Sequence, residues 1–525
     1  MDQKKLLNSI PVLEIRPGLI RPIENIAYHT GRVTEGSLFV CMRGYKTDGH
    51  LYLPQAAEKG AVAAVVEKFR EDVDVPQYKV ADSRKALAAL ADFFYGHPSQ
   101  KLDVTGVTAT NGKTTTTYMI NAIFEAHGLN TGLIGTVIVK TGSRIQAADL
   151  TTPESLDLHQ FFDRMVKEKV SHAVMEVSSS GLELKRVGSV DFNTVVVNNI
   201  SREHIDLHGS FEQYYNAKAS LVREAKEGQW AVFNMDCPRT APLVHETKAG
   251  VFTYGLKNTS ADCLVRDLDL STGRASFNVE LKRKDSFEFL AGYPEIFPVE
   301  LSVLGLHSVY NAMAAVMVSL LKGIPVETIS RALYAFRGVE RRFELIFEDN
   351  FKVIDDHFAN SGNIHVTLET LQMMEYRKLH LVYAIRGSRG ETVNRENAEA
   401  LAFWVPRLGL DRVIATTSSS HVGEKDFVTA GERKVYEQVM REAGIKTEIY
   451  DQLPDAIARG LSETESGDVL LLAGCQGMDY GASICLEQIR RSRPDLPKSK
   501  IFAALKNRVA GVGDPAAGFR IVEPE

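Results

Sequence analysis

The sequence predicts an α/β protein of three domains: a small N-terminal α/β domain, a central P-loop ATPase-like domain on a parallel sheet, and a C-terminal Rossmann-like domain. Three observations predict it. The chain has 525 residues, more than one core usually serves. An apolar run through Gly106 gives way to a small-residue loop, and Gly112-Lys113-Thr114 then opens a helical stretch. From about residue 340, apolar runs of strand length alternate with helical segments, the pattern of a doubly wound, mostly parallel sheet. The expected boundaries are 1–100, 101–336 and 337–495, with 496–525 as a tail poor in periodicity.

Composition narrows the class. An apolar fraction of 44% and a charged fraction of 24% are those of a soluble globular protein. The net charge of −6 argues against a generic polyanion binder, so no nucleic-acid partner is expected, yet it leaves room for a local basic pocket. Cysteines 41, 237, 263, 475 and 485 are odd in number and widely spaced, unlike a zinc site or a disulfide framework. The first residues, MDQKKLLNSIPVLEIRPGL, hold no continuous apolar core of a signal peptide, and no run is long enough to cross a bilayer. A cytoplasmic location without membrane contact is expected.

In the first hundred residues, GSLFVCMRG (36–44) and AVAAVVEK (61–68) read as strands. PQAAEKG (54–60) and RKALAALADFFYG (84–96) read as helices stopped by Gly60 and Gly96. Gly44, Asp48, Gly49 and His50 have the composition of a turn and by themselves specify no ligand.

The central stretch DVTGVTATNGKTTTT (103–117) has the order strand, loop, helix that a phosphate-binding loop requires. Backbone N–H groups at the helix start face the phosphates, Lys113 supplies a point charge, and Thr114 can ligate Mg²⁺. Gly106 lies one residue further from Gly-Lys-Thr than in the common motif. An ordinary strand-to-helix turn is the competing reading, disfavoured because a lysine at a helix start opposes the macrodipole unless an anion sits there. GLIGTVIV (132–139) reads as the next strand, and TTPES as a helix entry with Thr152 as N-cap and Pro153 at the first position. SHAVMEVSSS (171–180) reads as a strand ending in Glu176, where a second Mg²⁺ ligand belongs; a solvated strand-end acid is the alternative.

DFNTVVVNNI (191–200) is a further buried strand, followed by His204, Asp206 and His208, which suit either a metal site or a surface loop. In FEQYYNAKASLVREAK, Lys218 shares one helix face with Tyr214, Tyr215, Leu221 and Val222. An ammonium on such a stripe must snorkel, pair with an acid or lose its charge. Residues 304–323 read as a helix with Asn311 near its start. In the last third FKVIDD, LHLVYAIRG, DRVIATT and GDVLLLAGC are strand candidates. Their following loops, 356–363, 386–394, 417–424 and 474–481, are expected at one sheet edge, where ligands bind.

Taken together, TGVTATNGKTTTT, LTTPES, MEVSSSGLELKRV, NNISREHIDLHGSFEQYYNAKASL and FNMDCP resemble the Mur ligase family, most of all its UDP-N-acetylmuramoyl-tripeptide synthetase branch, from about residue 23 to about 490. The resemblance implies ATP- and Mg²⁺-dependent amide formation through an acyl phosphate, between an amino acid or amine and a small-molecule carboxylate such as a nucleotide-linked peptide. It implies catalytic roles for Lys113, Glu176, His204 and Lys218. Metal ligation falls to Thr114, Glu176, His204 and Lys218, the last as a carbamate. ATP contacts are implied for Gly106, Thr108, Asn111, Gly112, Lys113, Thr114, Thr115, Asn311, Arg342 and Asp356, and peptide-substrate contacts for Thr151, Thr152, Ser178 and Arg186.

The chain departs from the family's pattern at definite places. Ala109 stands for a usual Gly, His29-Thr30-Gly31 for Asp-Ser-Arg, and Ser180 for a His. In the third domain the segments read His357-Phe358-Ala359-Asn360-Ser361 after Asp356 and Gly474-Cys475-Gln476-Gly477-Met478-Asp479, and Thr417-Ser418-Ser419-Ser420 fills the region of the Asp-Asn-Pro-Arg that recognises diaminopimelate. A serine cannot repeat the bidentate carboxylate recognition of an arginine, so the amine is expected to differ from meso-diaminopimelate. A relative recruited to another pathway and a non-catalytic nucleotide-binding relative both remain open at this point.

Overall fold

The computed structural model describes residues 1–44, 47–201, 210–506 and 508. By internal contacts the chain divides into two units, Met1–Lys113 with Gly128–Phe233 and Cys237–Phe252, and Thr114–His127 with Asn234–Asp236 and Thr253–Glu525. Each unit is built on sheets covered by helices.

The first unit holds a five-stranded sheet in the order Glu14–Arg16, Gln77–Lys79, Ala61–Val66, Ser37–Val40 and Asn25–Ala27. Its pairings are parallel except for the first. Ala61–Val66 is buried along its whole length, which explains its unbroken apolar run. Helix Ser83–Phe94 covers this sheet and begins where the Asp82 carboxylate accepts the N–H groups of Arg84 and Lys85.

The same unit carries Trp230–Asn234, Thr194–Val197, Asp103–Thr108, His172–Glu176 and Thr131–Ile134 in that spatial order, all parallel. An antiparallel ribbon, Ile138–Thr141 with Arg144–Ala147, extends the edge. Two expectations change here. GLIGTVIV is not one strand: the backbone breaks at Gly135-Thr136, because the amide of Thr136 turns to donate to the Glu176 carboxylate. TTPES is not a helix entry at Pro153: the helix is Ser155–Lys167 with Glu154 at its N-cap, and the Thr152 hydroxyl is instead committed to Glu176 and Ser178.

His159, on that helix, is fully buried with neither ring nitrogen hydrogen-bonded. Burial lowers its pKa to about 3, although Asp92 Oδ1 lies 3.7 Å away. The folded state therefore refuses a proton that the unfolded chain accepts below its ordinary pKa of 6.5. Stability from this group is complete above that value and is lost as pH falls towards 3. Between pH 7.5 and 5 the wild type is expected to lose about 2 kcal/mol more than a His159→Leu variant in urea unfolding. Equal losses in the two proteins would remove His159 as the cause.

The second unit contains antiparallel strands Cys263–Asp269, Arg274–Leu281 and Ile296–Leu304, then helix Leu306–Leu321, whose residues from Val309 on are almost all buried. Its six-stranded sheet runs Glu344–Glu348, Lys352–Asp356, Val469–Gly474, Leu379–Ala384, Val413–Thr416, Thr447–Tyr450. All pairings are parallel except the first. The four expected strands are present, joined by two edge strands whose mixed exposure hides them from an apolar-run reading. The loops at the carboxyl ends touch one another: Cys475 Sγ lies 3.2 Å from the Phe358 carbonyl, and the Ser418 hydroxyl donates to the Gly477 carbonyl at 2.5 Å. Within the stretch expected as a tail, Lys498–Ile501 is helical and Ile501 is fully buried in this domain's core.

Candidate active site

Strand Asp103–Thr108 delivers the chain into the loop Ala109–Gly112, and helix Lys113–Ala126 leaves it. Gly106 is a glycine because a Cβ there would lie 2.6 Å from the Phe192 ring. Gly112 takes φ +91°, which only glycine adopts at little cost. Asn199 fixes the loop from the neighbouring strand's end. Its side-chain oxygen accepts the Asn111 N–H at 2.9 Å, its amide donates to the Asn111 carbonyl at 2.9 Å, and its backbone carbonyl accepts the Thr110 N–H at 2.9 Å. Sequence reasoning missed Asn199; its signal was an Asn pair at the end of a buried strand.

Two lysines meet on this loop. The Lys113 ammonium donates to the carbonyls of Ala109 (2.8 Å) and Thr110 (3.2 Å). Lys218, 1% exposed, donates to the same Ala109 carbonyl at 2.7 Å and to the Thr108 hydroxyl at 3.3 Å, and lies 5.0 Å from the Tyr214 ring centroid. Of the fates open to Lys218, snorkelling is ruled out: the ammonium is turned inwards. Tyr214 completes the arrangement, its hydroxyl 2.9 Å from that of Thr110.

Glu176 is wholly buried, in register with Val107 on the adjacent strand. Its carboxylate accepts the Thr136 N–H at 2.7 Å and the Thr136 hydroxyl at 3.1 Å. These charge-assisted bonds hold an anion beside the phosphate loop without a solvent shell. The Glu176 carbonyl accepts the Thr152 hydroxyl at 2.9 Å, and the Ser178 N–H donates back to that hydroxyl at 3.0 Å. Thr151 joins through the Thr136 hydroxyl at 3.1 Å. Arg186 donates to the Thr152 carbonyl at 3.0 Å and to Glu154 at 3.0 Å. Hydrogen bonds thus link Thr151, Thr152, Glu176, Ser178 and Arg186 to one another; Thr136, which joins Thr151 to Glu176, and Glu154, which holds Arg186, were not singled out in the sequence.

In the second unit, Thr114 is buried in the first turn of its helix and its carbonyl accepts the Thr117 hydroxyl at 2.9 Å. Thr115 is half-buried, and the Thr116 hydroxyl donates to the Asn311 side chain at 3.2 Å. Arg342 donates to the Arg341 carbonyl at 3.0 Å. The Asp356 carboxylate accepts the N–H groups of Phe343 (3.0 Å) and His357 (2.9 Å) and the Thr367 hydroxyl. Burial pushes its carboxyl above the ordinary value, against those bonds. Burial and the neighbouring Arg342 and Arg341 hold His357 well below its ordinary pKa. His204, expected as a ligand, lies outside the described residues, as do Asp206 and His208. Among the described residues no group of three or more His, Cys, Asp or Glu side chains is placed to hold a metal, and no helix is long and apolar enough to cross a membrane.

A glycine-bounded loop between a parallel strand and a helix N-terminus is the local geometry of a nucleotide-phosphate site, so fold and site together define the chain as a candidate nucleotide-using α/β protein. Family models match in three stretches: the Mur ligase family catalytic domain over residues 22–95, the Mur ligase middle domain over 107–319, and the Mur ligase glutamate ligase domain over 341–476. UDP-N-acetylmuramoyl-L-alanyl-D-glutamate–2,6-diaminopimelate ligase of Geobacillus thermodenitrificans is 34% identical over 488 residues, 90% of this chain and 94% of that protein. Among solved structures, MurF of Acinetobacter baumannii aligns with a TM-score of 0.64 at 18% identity, covering 94% of this chain and 99% of that one. MurF ligase of Thermotoga maritima in complex with ADP aligns with a TM-score of 0.61 at 20% identity, covering 90% and 98%. The chain belongs to the Mur ligase family. As a member of that family it is an ATP- and Mg²⁺-dependent, ADP-forming ligase that makes an amide bond between a carboxylate and an amine.

Proposed function

We propose that the carboxylate is that of a nucleotide-linked muramoyl peptide, that the amine is an amino acid, and that the reaction passes through an acyl phosphate in the cytoplasm. The observation that carries the mechanistic part is the meeting of Lys113 and Lys218 on the Ala109 carbonyl beside the buried Glu176. Transfer of the γ-phosphoryl group of ATP to a carboxylate brings two anions together, and cations held in a water-poor site lower that barrier. The acyl carbon is then attacked by the amine, and phosphate leaves.

Lys113 holds the β- and γ-phosphates, with Gly106, Thr108, Asn111, Gly112, Thr114 and Thr115 shaping the loop around them. Hard oxygen donors suit Mg²⁺, and the Thr114 hydroxyl and Glu176 carboxylate are of that kind; by the family's pattern His204 and Lys218 complete the ligand set, Lys218 as a carbamate, which exchanges its positive charge for oxygen donors and leaves Lys113 and Mg²⁺ as the cations at the phosphates. When bound, Mg²⁺ supplies charge neutralisation at the phosphates. Thr151, Thr152, Ser178 and Arg186 hold the peptide substrate, and Asn311, Arg342 and Asp356 serve ATP. Residues 1–100 hold the nucleotide end of the substrate, 101–336 the ATP, and 337–495 the amine, followed by the segment 496–525.

A particular amine follows less directly. The 34% identical diaminopimelate ligase of Geobacillus thermodenitrificans supports an amino acid with a second carboxylate. Against it, Ser418 is turned to the Gly477 carbonyl, and Ser419 and Ser420 are bonded to Asp451 and Gln452. Neutral hydroxyls so engaged favour an amine without that second carboxylate. Purified protein, ATP, Mg²⁺ and UDP-muramoyl-dipeptide are mixed with a panel of amino acids, with phosphate release and product mass as readouts. Phosphate release dependent on one amino acid, with the matching mass, is expected. Release with none of them overturns the muramoyl-peptide reading, and meso-diaminopimelate as the best substrate overturns the preference for another amine.

A further inference from the structure

Arg341 and Phe343 both sit in the left-handed region, at φ +56° and +50°, a conformation unfavourable to any residue with a Cβ. The strain accompanies a buried charge cluster. The Arg341 guanidinium donates to the Asp479 carboxylate and to the carbonyls of Gly474 and Cys475, the last at 2.9 Å. Its Nε faces Asp355 Oδ1 at 3.7 Å, and neither atom has a hydrogen-bond partner. Asp355 is fully buried and is held from its other oxygen by Arg508, which also bonds Glu344 at 2.6 Å. Arg508 lies beyond the family match that ends at residue 476, yet its side chain is only 2% exposed.

Among the described residues, removing Arg508 leaves Asp355 one ion-pair partner, Arg341. A buried unpaired carboxylate costs more than the turning of a neighbouring guanidinium. Arg341 is already aimed at Asp355, so it closes that bond and releases Asp479 and the two carbonyls. The Gly474–Asp479 loop then loses its tie to the Val339–Phe343 segment, where Arg342 is bonded to the Arg341 carbonyl.

We propose that Arg508 is a positioning residue of the ligase: by satisfying Asp355 and Glu344 it keeps Arg341 on the 474–479 loop, so this residue from beyond the family match sets the geometry of the third-domain binding loops. This rests on the reading that those loops take part in binding ATP and the amine. Hydrogen exchange and steady-state kinetics of full-length Arg508→Met and Arg508→Lys test it. In Arg508→Met, amides 474–480 and 339–343 are expected to exchange about tenfold faster while those of Leu379–Ala384 keep their protection. KM for ATP or the amine rises about tenfold with kcat changed less than about threefold, and Arg508→Lys recovers most of both effects. Unchanged exchange at 474–480, or a uniform rise that includes Leu379–Ala384 with KM unaltered, overturns the proposal. A wild type inactive with every substrate overturns the proposed substrates instead and leaves the exchange result to decide the role of Arg508.

Discussion

Lys218→Met is expected to lower kcat by about 10²–10³-fold while the protein still folds. The side chain is 1% exposed, and methionine fills nearly the same volume without the charge. The substitution removes bonds to the Ala109 carbonyl and the Thr108 hydroxyl and the contact with the Tyr214 ring. Ala109 belongs to the loop, Thr108 ends the strand that enters it, and Tyr214 is bonded to Thr110 of the loop. Activity should therefore fall far more than stability, which by a lost hydrogen bond or two changes by about 1–3 kcal/mol. A variant with native melting and wild-type kcat would exclude Lys218 from the chemistry. The carbamate is separately testable: native mass spectrometry after incubation with bicarbonate should show one added CO₂ in the wild type and none in Lys218→Met. Addition to neither protein would remove the carbamate and leave the cation at the loop.

The environment of Lys218 also shows what a sequence can and cannot disclose. Helical spacing places the lysine on an apolar face with Tyr214 and Leu221, and that much is confirmed by their burial. Spacing does not say which loop the ammonium reaches, because the partner lies about a hundred residues earlier in the chain and meets it only through sheet topology. The strand–loop–helix turn at 103–117 is legible because its glycines, lysine and helix start are contiguous, so local chemistry is enough. The same limit explains Thr152. Its sequence neighbours make it an N-cap, yet its hydroxyl is claimed by Glu176 and Ser178, brought beside it by the parallel strand His172–Glu176. Arg508 is the extreme case: nothing near it signals burial, and its partners Asp355 and Glu344 lie about 150 residues away.

Gly135→Ala is expected to reduce activity by about as much as Glu176→Gln, again about 10²–10³-fold. Gly135 has an ordinary φ, so the glycine is not there for backbone freedom. A Cβ at 135 would lie 2.4 Å from Glu176 Oε1 and 3.2 Å from its Cδ, inside any tolerable contact. That oxygen cannot simply swing away, because it accepts the Thr136 N–H at 2.7 Å and the whole residue is buried. Relief requires either the strand break at Gly135-Thr136 to shift or the carboxylate to leave its place. Overpacking of this kind costs about 1–3 kcal/mol, whereas Glu176→Gln keeps the volume and changes only the charge. If the carboxylate's position and charge are both needed beside the phosphate loop, the two variants should share a raised Mg²⁺ requirement, measured by titrating Mg²⁺ at saturating ATP, although only Gly135→Ala loses stability. Wild-type Mg²⁺ dependence in Glu176→Gln would separate Glu176 from metal binding. Reduced activity in Gly135→Ala would then report the displaced strand break alone.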